Sequence, residues 1–276
     1  MSKSIAILGK AGVGKTFLAA QLAMAFGYLG EKTLLVGCDQ KRDTTRAVSG
    51  QRRPSLVEAL EANGFSYENT GLAEVTIQVN EYVDVMELGP SQLLVGDYGK
   101  VFDEAFRLFD LHDGEAGYAR IVYDVNDERY DASHAPLFRR VEGAVAVTDE
   151  SSESLFVLNR LLRAALIGGF EFGFPLRVAG VVNNRSLDPQ SFEAYVERSK
   201  CFPLLSIPEK PELARLRGLH RTVFNAESPG GEMEELRGSL VKLAELLRGG
   251  VFNLYPVSPL EDEEIWRLAP PARPPN

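Results

Sequence analysis

The stretch Gly9-Lys10-Ala11-Gly12-Val13-Gly14-Lys15-Thr16 matches the phosphate-binding pattern G-x-x-x-x-G-K-[ST] at every position, and it constrains the chain more than any other feature. Ahead of it, Ser4 to Leu8 is a short apolar run that reads as a buried strand. Behind it, Phe17, Leu18, Leu22, Ala25 and Phe26 recur at helical spacing up to Gly30. Strand, glycine-rich loop and helix, in that order, is the context the pattern requires. Glycines let backbone N–H groups wrap phosphate oxygens, and the helix N-terminus adds a partial positive charge. Lys15 is placed to neutralise the β and γ oxygens, and the Thr16 hydroxyl to ligate Mg²⁺. The loop therefore reads as a site for a nucleoside triphosphate or diphosphate.

The rest of the chain repeats the strand-helix alternation. Thr33–Val36 predicts a second strand, and Ser55 with Glu58 has capping-box spacing ahead of a short helix that stops at Asn63-Gly64. Residues 65–81 are weakly patterned. Val83–Leu88 alternates and meets Gly89-Pro90, and Val101–Phe109 reads as helix. Arg120–Tyr123, Gly143–Val147 and Val178–Val182 are further buried strands, with a helix over Ser152–Ile167 and another capped by Asp188 with Pro189 at its first position. Pro203–Ile207 reads as the last strand and Met233–Arg248 as a closing helix. The expected fold class is α/β, a doubly wound, mostly parallel sheet with helices on both faces. Residues 1–250 are expected to form this one domain, and residues 251–276, rich in acid and proline, a C-terminal tail with a flexible end.

Composition narrows the partners. Thirty basic against 39 acidic residues leave a formal charge of −9, which argues against broad binding to nucleic acid or anionic membrane and for a protein partner. No apolar run approaches the roughly 18 residues needed to span a bilayer, and Met1 is followed almost directly by the first strand, so a cytoplasmic location is expected. Cys38 and Cys201 are the only cysteines, with no C-x-x-C spacing, so neither a disulfide framework nor a metal finger is supported.

Phosphoryl transfer rests on positioning and charge neutralisation, so carboxylates are needed where Mg²⁺ and the attacking water sit. Asp39, Asp43 and Asp124 are the candidates, each at or just after a strand end. Taken singly, each also fits a plain strand-end or N-cap aspartate.

A second lysine inside the loop, Lys10, together with Gly37-Cys38-Asp39-Gln40-Lys41-Arg42-Asp43-Thr44-Thr45-Arg46, resembles the nitrogenase iron-protein family of deviant P-loop ATPases, and within it the chlorophyllide reductase branch. The resemblance covers nearly the whole chain to about Phe224. It implies an ATP-dependent homodimer in which Lys10 reaches across the two-fold axis to the partner's nucleotide. It further implies that Asp39 positions or polarises water, that Asp43 and Asp124 serve Mg²⁺ with Thr16, and that Lys41 belongs to the nucleotide switch. Val181-Val182-Asn183-Asn184-Arg185 resembles the segment whose first asparagine contacts adenine, and Ile207-Pro208-Glu209 the loop closing over the ring. The basic stretch Arg42, Arg46, Arg52 and Arg53 lies where that family borders its docking surface, although such a stretch is more often a solvated face.

The departures are as informative. The family bridges a [4Fe–4S] cluster between subunits with two cysteines per chain, and here those positions carry Asp97 and Asp131. Thiolates are the usual cluster ligands, so no [4Fe–4S] cluster is expected. Carboxylates at both positions could instead gather around the dimer axis to hold a hard cation, or be solvated acids freed from cluster duty. In switch II, Asp127 stands where the family has glycine beside the γ-phosphate; in switch I, the motif that directly follows the second strand, Gln40 replaces a proline; and after the phosphate loop Phe17 replaces a hydroxyl residue next to Thr16. An acid beside the γ-phosphate disfavours turnover, so binding is expected more firmly than hydrolysis.

The leading expectation is an ATP-binding dimeric switch, without electron transfer, that docks onto another protein. The alternatives are a positioning ATPase of the partitioning type and a nucleotide-sensing scaffold with little hydrolysis.

Overall fold

A computed structural model describes residues 3–39, 41–89, 97–125, 132–167, 176–226, 230–249 and 257–268. The strands are β1 (Lys3–Gly9), β2 (Thr33–Gly37), β3 (Ile77–Gln78), β4 (Val83–Glu87), β5 (Arg120–Asp124), β6 (Gly143–Thr148), β7 (Val178–Ser186) and β8 (Pro203–Pro208). They form one sheet in the order β3-β4-β2-β5-β1-β6-β7-β8, parallel throughout except for the short edge strand β3. The helices are α1 (Lys15–Tyr28), α2 (Thr44–Ser49), α3 (Leu56–Ala62), α4 (Leu72–Val75), α5 (Tyr98–Leu111), α6 (Ala135–Phe138), α7 (Ser152–Ile167), α8 (Gln190–Ser199), α9 (Pro211–Gly218), α10 (Gly231–Arg248) and α11 (Asp262–Leu268). This is the doubly wound α/β architecture that the alternation of apolar runs predicts.

Central strands are buried on both sides because helices cover both faces, and alternate side chains therefore enter different cores. Ile5 and Ile7 of β1 join α1 and α10 on one face, while Ala6 and Leu8 join α3, α5 and α7 on the other. α1 is buried almost all round from Phe17 to Gly27, more than its apolar spacing alone requires. The reason is its run of small residues, Ala19, Ala20, Ala23 and Ala25, against which α10 packs as a second layer.

Local differences from the sequence reading have physical causes. Residues 65–81 hold a 3-10 turn at Tyr67–Asn69, α4 and β3, pieces too short to leave a periodic signal. The capping box at Ser55 and Glu58 forms as expected. α8 begins one residue later than expected, with Pro189 as its cap. Asp188 accepts the Gln190 N–H while its own N–H goes to Glu150.

Within the C-terminal segment, Asn159 of α7 holds Leu260 through both backbone groups, donating to its carbonyl at 2.8 Å and accepting its N–H at 2.8 Å. The buried side chain of Ile265 then seats α11 against α7 and α8. Among the described residues, no helix is long and apolar enough to cross a membrane.

Candidate functional site

In open α/β sheets, ligands collect beyond the carboxyl ends of the strands, where the order of connections reverses. Here that place is the end of β1, which lies between β5 and β6. The loop Gly9–Gly14 turns there into α1. Gly14 has φ 95°, the left-handed conformation that costs glycine least, and a side-chain carbon at this position would lie 2.2 Å from Asn184 Nδ2. Lys15 is buried, and its ammonium donates to the Gly9 carbonyl at 2.9 Å and the Lys10 carbonyl at 3.0 Å. The ammonium is thus folded back against the loop's own backbone. Ala11 and Gly12 are exposed at the tip, Lys10 is half-buried and Val13 is buried beneath.

The carboxylates gather beside this loop. Asp124, fully buried at the end of β5, accepts from Thr44 Oγ1 at 2.8 Å and from the Thr16 hydroxyl. Burial pushes its carboxyl up to about 6 against these hydrogen bonds and the charge of Lys15. Its Oδ1 is buried without a hydrogen-bond partner, and so is Asp43 Oδ1. Burial, and then the charge of Asp39, raise the Asp43 carboxyl as well. Unpaired buried carboxylate oxygens are costly, and a divalent cation with its waters is one way to satisfy them. Asp39 is nearly buried at the end of β2, and Lys41 is exposed in the turn after it. Asp127 and Asp131 lie outside the described residues, as does Gln40.

On the far side of the loop, β7 and β8 supply a second group. Asn184 donates to the Val13 carbonyl at 2.7 Å, pinning the end of β7 to the phosphate loop. Arg185 pairs with Glu209 at 2.9 Å, Arg217 also reaches Glu209 at 3.4 Å, and the Arg217 guanidinium lies 5.3 Å from the centre of the Phe17 ring. Phe17, Glu209 and the loop are thus brought together through two arginines, with Pro208 exposed at the end of β8. Asn183 is fully buried, donating Nδ2 to Glu150 at 3.0 Å.

Sequence reasoning passed over three participants. Asn184 was legible only as part of a polar strand end. Glu150 follows β6 and accepts from Asn183, Ser186, Leu187 and Asp188. Burial opposes its charge, but those hydrogen bonds prevail and hold its carboxyl below the usual range. Glu87 ends β4 and accepts from the Thr45 N–H at 2.7 Å and hydroxyl at 3.0 Å, capping α2 from another strand. Its signal was a charged residue in phase with Val83 and Val85 on a face bound for the core.

The cluster that the family resemblance implies finds no thiolates here. Cys38 is buried at the end of β2, where burial and the charges of Asp124, Glu87 and Asp39 raise its thiol well above the usual range, and Cys201 is buried ahead of β8 with its thiol also raised by burial. Cluster ligands are reachable thiolates, whereas both of these sulfurs are buried and neither stands at a position that aligns with the family's cluster cysteines. Asp97 caps α5 instead, accepting the Lys100 N–H at 3.1 Å, and these hydrogen bonds lower its carboxyl pKa. The residues present do not fit such a cluster.

Known proteins bear on this arrangement in two ways. Among solved structures, the fold is similar to the septum site-determining protein MinD complexed with Mg-ADP from Pyrococcus horikoshii, with TM-score 0.66 and 19% identity over 92% of this chain and 100% of that one. It is also similar to the ParA family ATPase from Chlorobium tepidum, with TM-score 0.68 and 16% identity over 89% and 99%. In sequence, the chain is 28% identical over 97% of its length, and 88% of the relative's, to the light-independent protochlorophyllide reductase iron-sulfur ATP-binding protein of Halorhodospira halophila. The same protein of Rhodospirillum rubrum is 28% identical over 97% of this chain and 91% of that one. Residues 3–259 match the model of the 4Fe-4S iron sulfur cluster binding proteins of the NifH/frxC type. With nearly its whole length matched, the chain belongs to the NifH/frxC family of P-loop ATPases.

Proposed function

We propose that this protein is an ATP-dependent molecular switch that keeps the nucleotide machinery of its family and works without the [4Fe–4S] cluster. The observation that carries the reading is the convergence of Lys15, the left-handed Gly14 and the carboxylates of half-buried Asp43 and buried Asp124, each with a buried, unpaired Oδ1, at the end of β1 and its neighbours. Bound ATP supplies the phosphoanhydride that hydrolysis breaks. The loop N–H groups and Lys15 would hold its phosphates, Thr16, Asp43 and Asp124 would serve Mg²⁺, and Asp39 would orient water. Asn183, Pro208 and Glu209 are assigned to the base side. The MinD relative whose structure carries Mg-ADP supports this assignment by fold alone.

The working unit is proposed to be a homodimer closed by ATP, with Lys10 reaching the partner's phosphates, and to dock onto another protein through the surface near Arg42, Arg46, Arg52 and Arg53. Residues 1–250 serve as the nucleotide domain and 251–276 as its tail. The net charge of −9 sets this reading above one that acts on nucleic acid or a membrane surface, and the cytoplasm is proposed as its place. Hydrolysis is proposed to be slow or partner-triggered, given Asp127 in switch II. Titration calorimetry with ATP and ADP in the presence of Mg²⁺ tests the core of the proposal. Wild type is expected to bind both, and Lys15→Ala to lose both by at least a hundredfold. Undiminished binding by the variant would remove the phosphate loop from the mechanism.

A further inference from the structure

The Glu150 carboxylate is surrounded by donors. Oε1 accepts from Asn183 Nδ2 at 3.0 Å and from the Ser186 hydroxyl, and Oε2 accepts from the N–H groups of Leu187 at 3.1 Å and Asp188 at 2.9 Å. An ionised carboxylate can only accept, so the atom of Asn183 that faces it must be the NH₂ group. The orientation of the Asn183 amide is thereby chemically fixed, although an isolated amide could be placed either way round. Its Oδ1 must then point away from Glu150, and among the described residues it is buried with no hydrogen-bond partner. The neighbouring Asn184, whose side chain leaves the strand on the opposite face, is tied to the Val13 carbonyl and fixes the backbone at the end of β7 against the phosphate loop.

We propose that Glu150 is a positioning residue for base selection: by holding the Asn183 amide in one orientation it presents Oδ1 as an acceptor to the 6-position of a purine, favouring a 6-amino base over a 6-oxo base. The proposal rests on the reading that Asn183 faces the base. A 6-amino group donates to Oδ1. A 6-oxo group sets one acceptor against another and leaves both unpaired in a buried place, a mismatch that binding sites reject strongly. Glu150 touches no nucleotide in this account and acts only through Asn183.

The test compares dissociation constants of Mg·ATP and Mg·ITP, which differ only at the base 6-position and its ring proton. Wild type is expected to prefer ATP by about tenfold or more, and a ratio near one would overturn the proposal without any variant. Glu150→Gln can keep the backbone N–H bonds through its carbonyl while its amide donates to a flipped Asn183, so the ratio is expected to fall several-fold toward one. Glu150→Asp, still charged but one methylene short of Asn183, is expected to lower it as well and serves if the first variant is unstable. General loosening of the site would weaken both nucleotides together and leave the ratio unchanged, which would overturn the role of Glu150. Asn183→Ala separates the two layers. An unchanged ratio there removes Asn183 from the base site, whereas a collapsed ratio with both Glu150 variants like wild type leaves Asn183 in place and overturns Glu150 alone.

Discussion

Thr44 at the start of α2 donates its hydroxyl to Asp124 Oδ2 at 2.8 Å, so the first turn after switch I is tied directly to the aspartate that ends β5. The next residue, Thr45, is held by Glu87 from β4. Two adjacent threonines thus anchor the switch to two different strands. Thr44→Val keeps the shape and removes the donor, leaving a buried carboxylate oxygen short of a partner. The expected result is a stability loss of about 1–3 kcal/mol in the nucleotide-free protein, with a several-fold weakening of the Mg²⁺-dependent part of ATP affinity. Thermal melts and calorimetry with and without Mg²⁺ check the two parts separately.

Glu87 makes stability depend on pH. Burial raises its carboxyl from the ordinary 4.5 to about 8, against the bonds from Thr45. A carboxyl raised on folding favours the folded state fully below its unfolded pKa, and that advantage is lost as pH climbs toward the folded value. The nucleotide-free protein should therefore lose about a few kcal/mol between roughly pH 5 and pH 8 from this group. Glu87→Gln, which can still accept from Thr45, should flatten that slope. A pH series of denaturant titrations showing the same slope in both proteins would contradict the assignment.

Lys10 is assigned to the partner's phosphates. Lys10→Ala is expected to fold, to bind ATP as a monomer with near wild-type affinity, and to lose the ATP-promoted dimer seen by light scattering. An oligomeric state that is identical in wild type and variant, with and without ATP, would remove Lys10 from the interface.

Hard carboxylate stands at Asp97 and Asp131, and both thiols are buried. Protein purified without oxygen and reconstituted with iron and sulfide is therefore expected to show no stoichiometric visible charge-transfer band and no paramagnetic signal on reduction. A stoichiometric cluster would overturn the redox-silent reading and require other ligands.

Asn159 satisfies three buried groups at once, the Leu260 N–H, the Leu260 carbonyl and the Tyr195 hydroxyl. Asn159→Ala would leave all three short of a partner, although Arg163 still reaches the Leu260 carbonyl. A cost of about 2–4 kcal/mol is expected, with the C-terminal segment becoming sensitive to limited proteolysis before the rest of the chain.

The architecture was legible because the sheet is parallel: strands buried on both faces leave continuous apolar runs, and the alternation with helices survives in one sequence. The strand, glycine-rich turn and helix at residues 3–28 were legible for a different reason, since the motif is local and its glycines mark where the backbone must turn. What escaped were long-range partnerships. Glu150 and Asn183 are 33 positions apart, and Thr45 and Glu87 are 42 apart. Nothing in the spacing of either pair announces contact, because the sheet order that joins them is set by the fold. The short helices α2, α4 and α6 were hidden similarly, being too brief to show a period.

Gly37 shows how tightly this part of the molecule is filled. A side-chain carbon there would stand 1.8 Å from Glu87 Oε2 and 2.6 Å from Thr44 Oγ1. The space that any other residue would need at the end of β2 is occupied by the carboxyl that caps the switch helix. Alanine at 37 would have to push the Glu87 carboxyl aside, so a methyl group added on β2 would be felt as a loosened cap on α2, and positions 37 and 87 act as a single unit of packing.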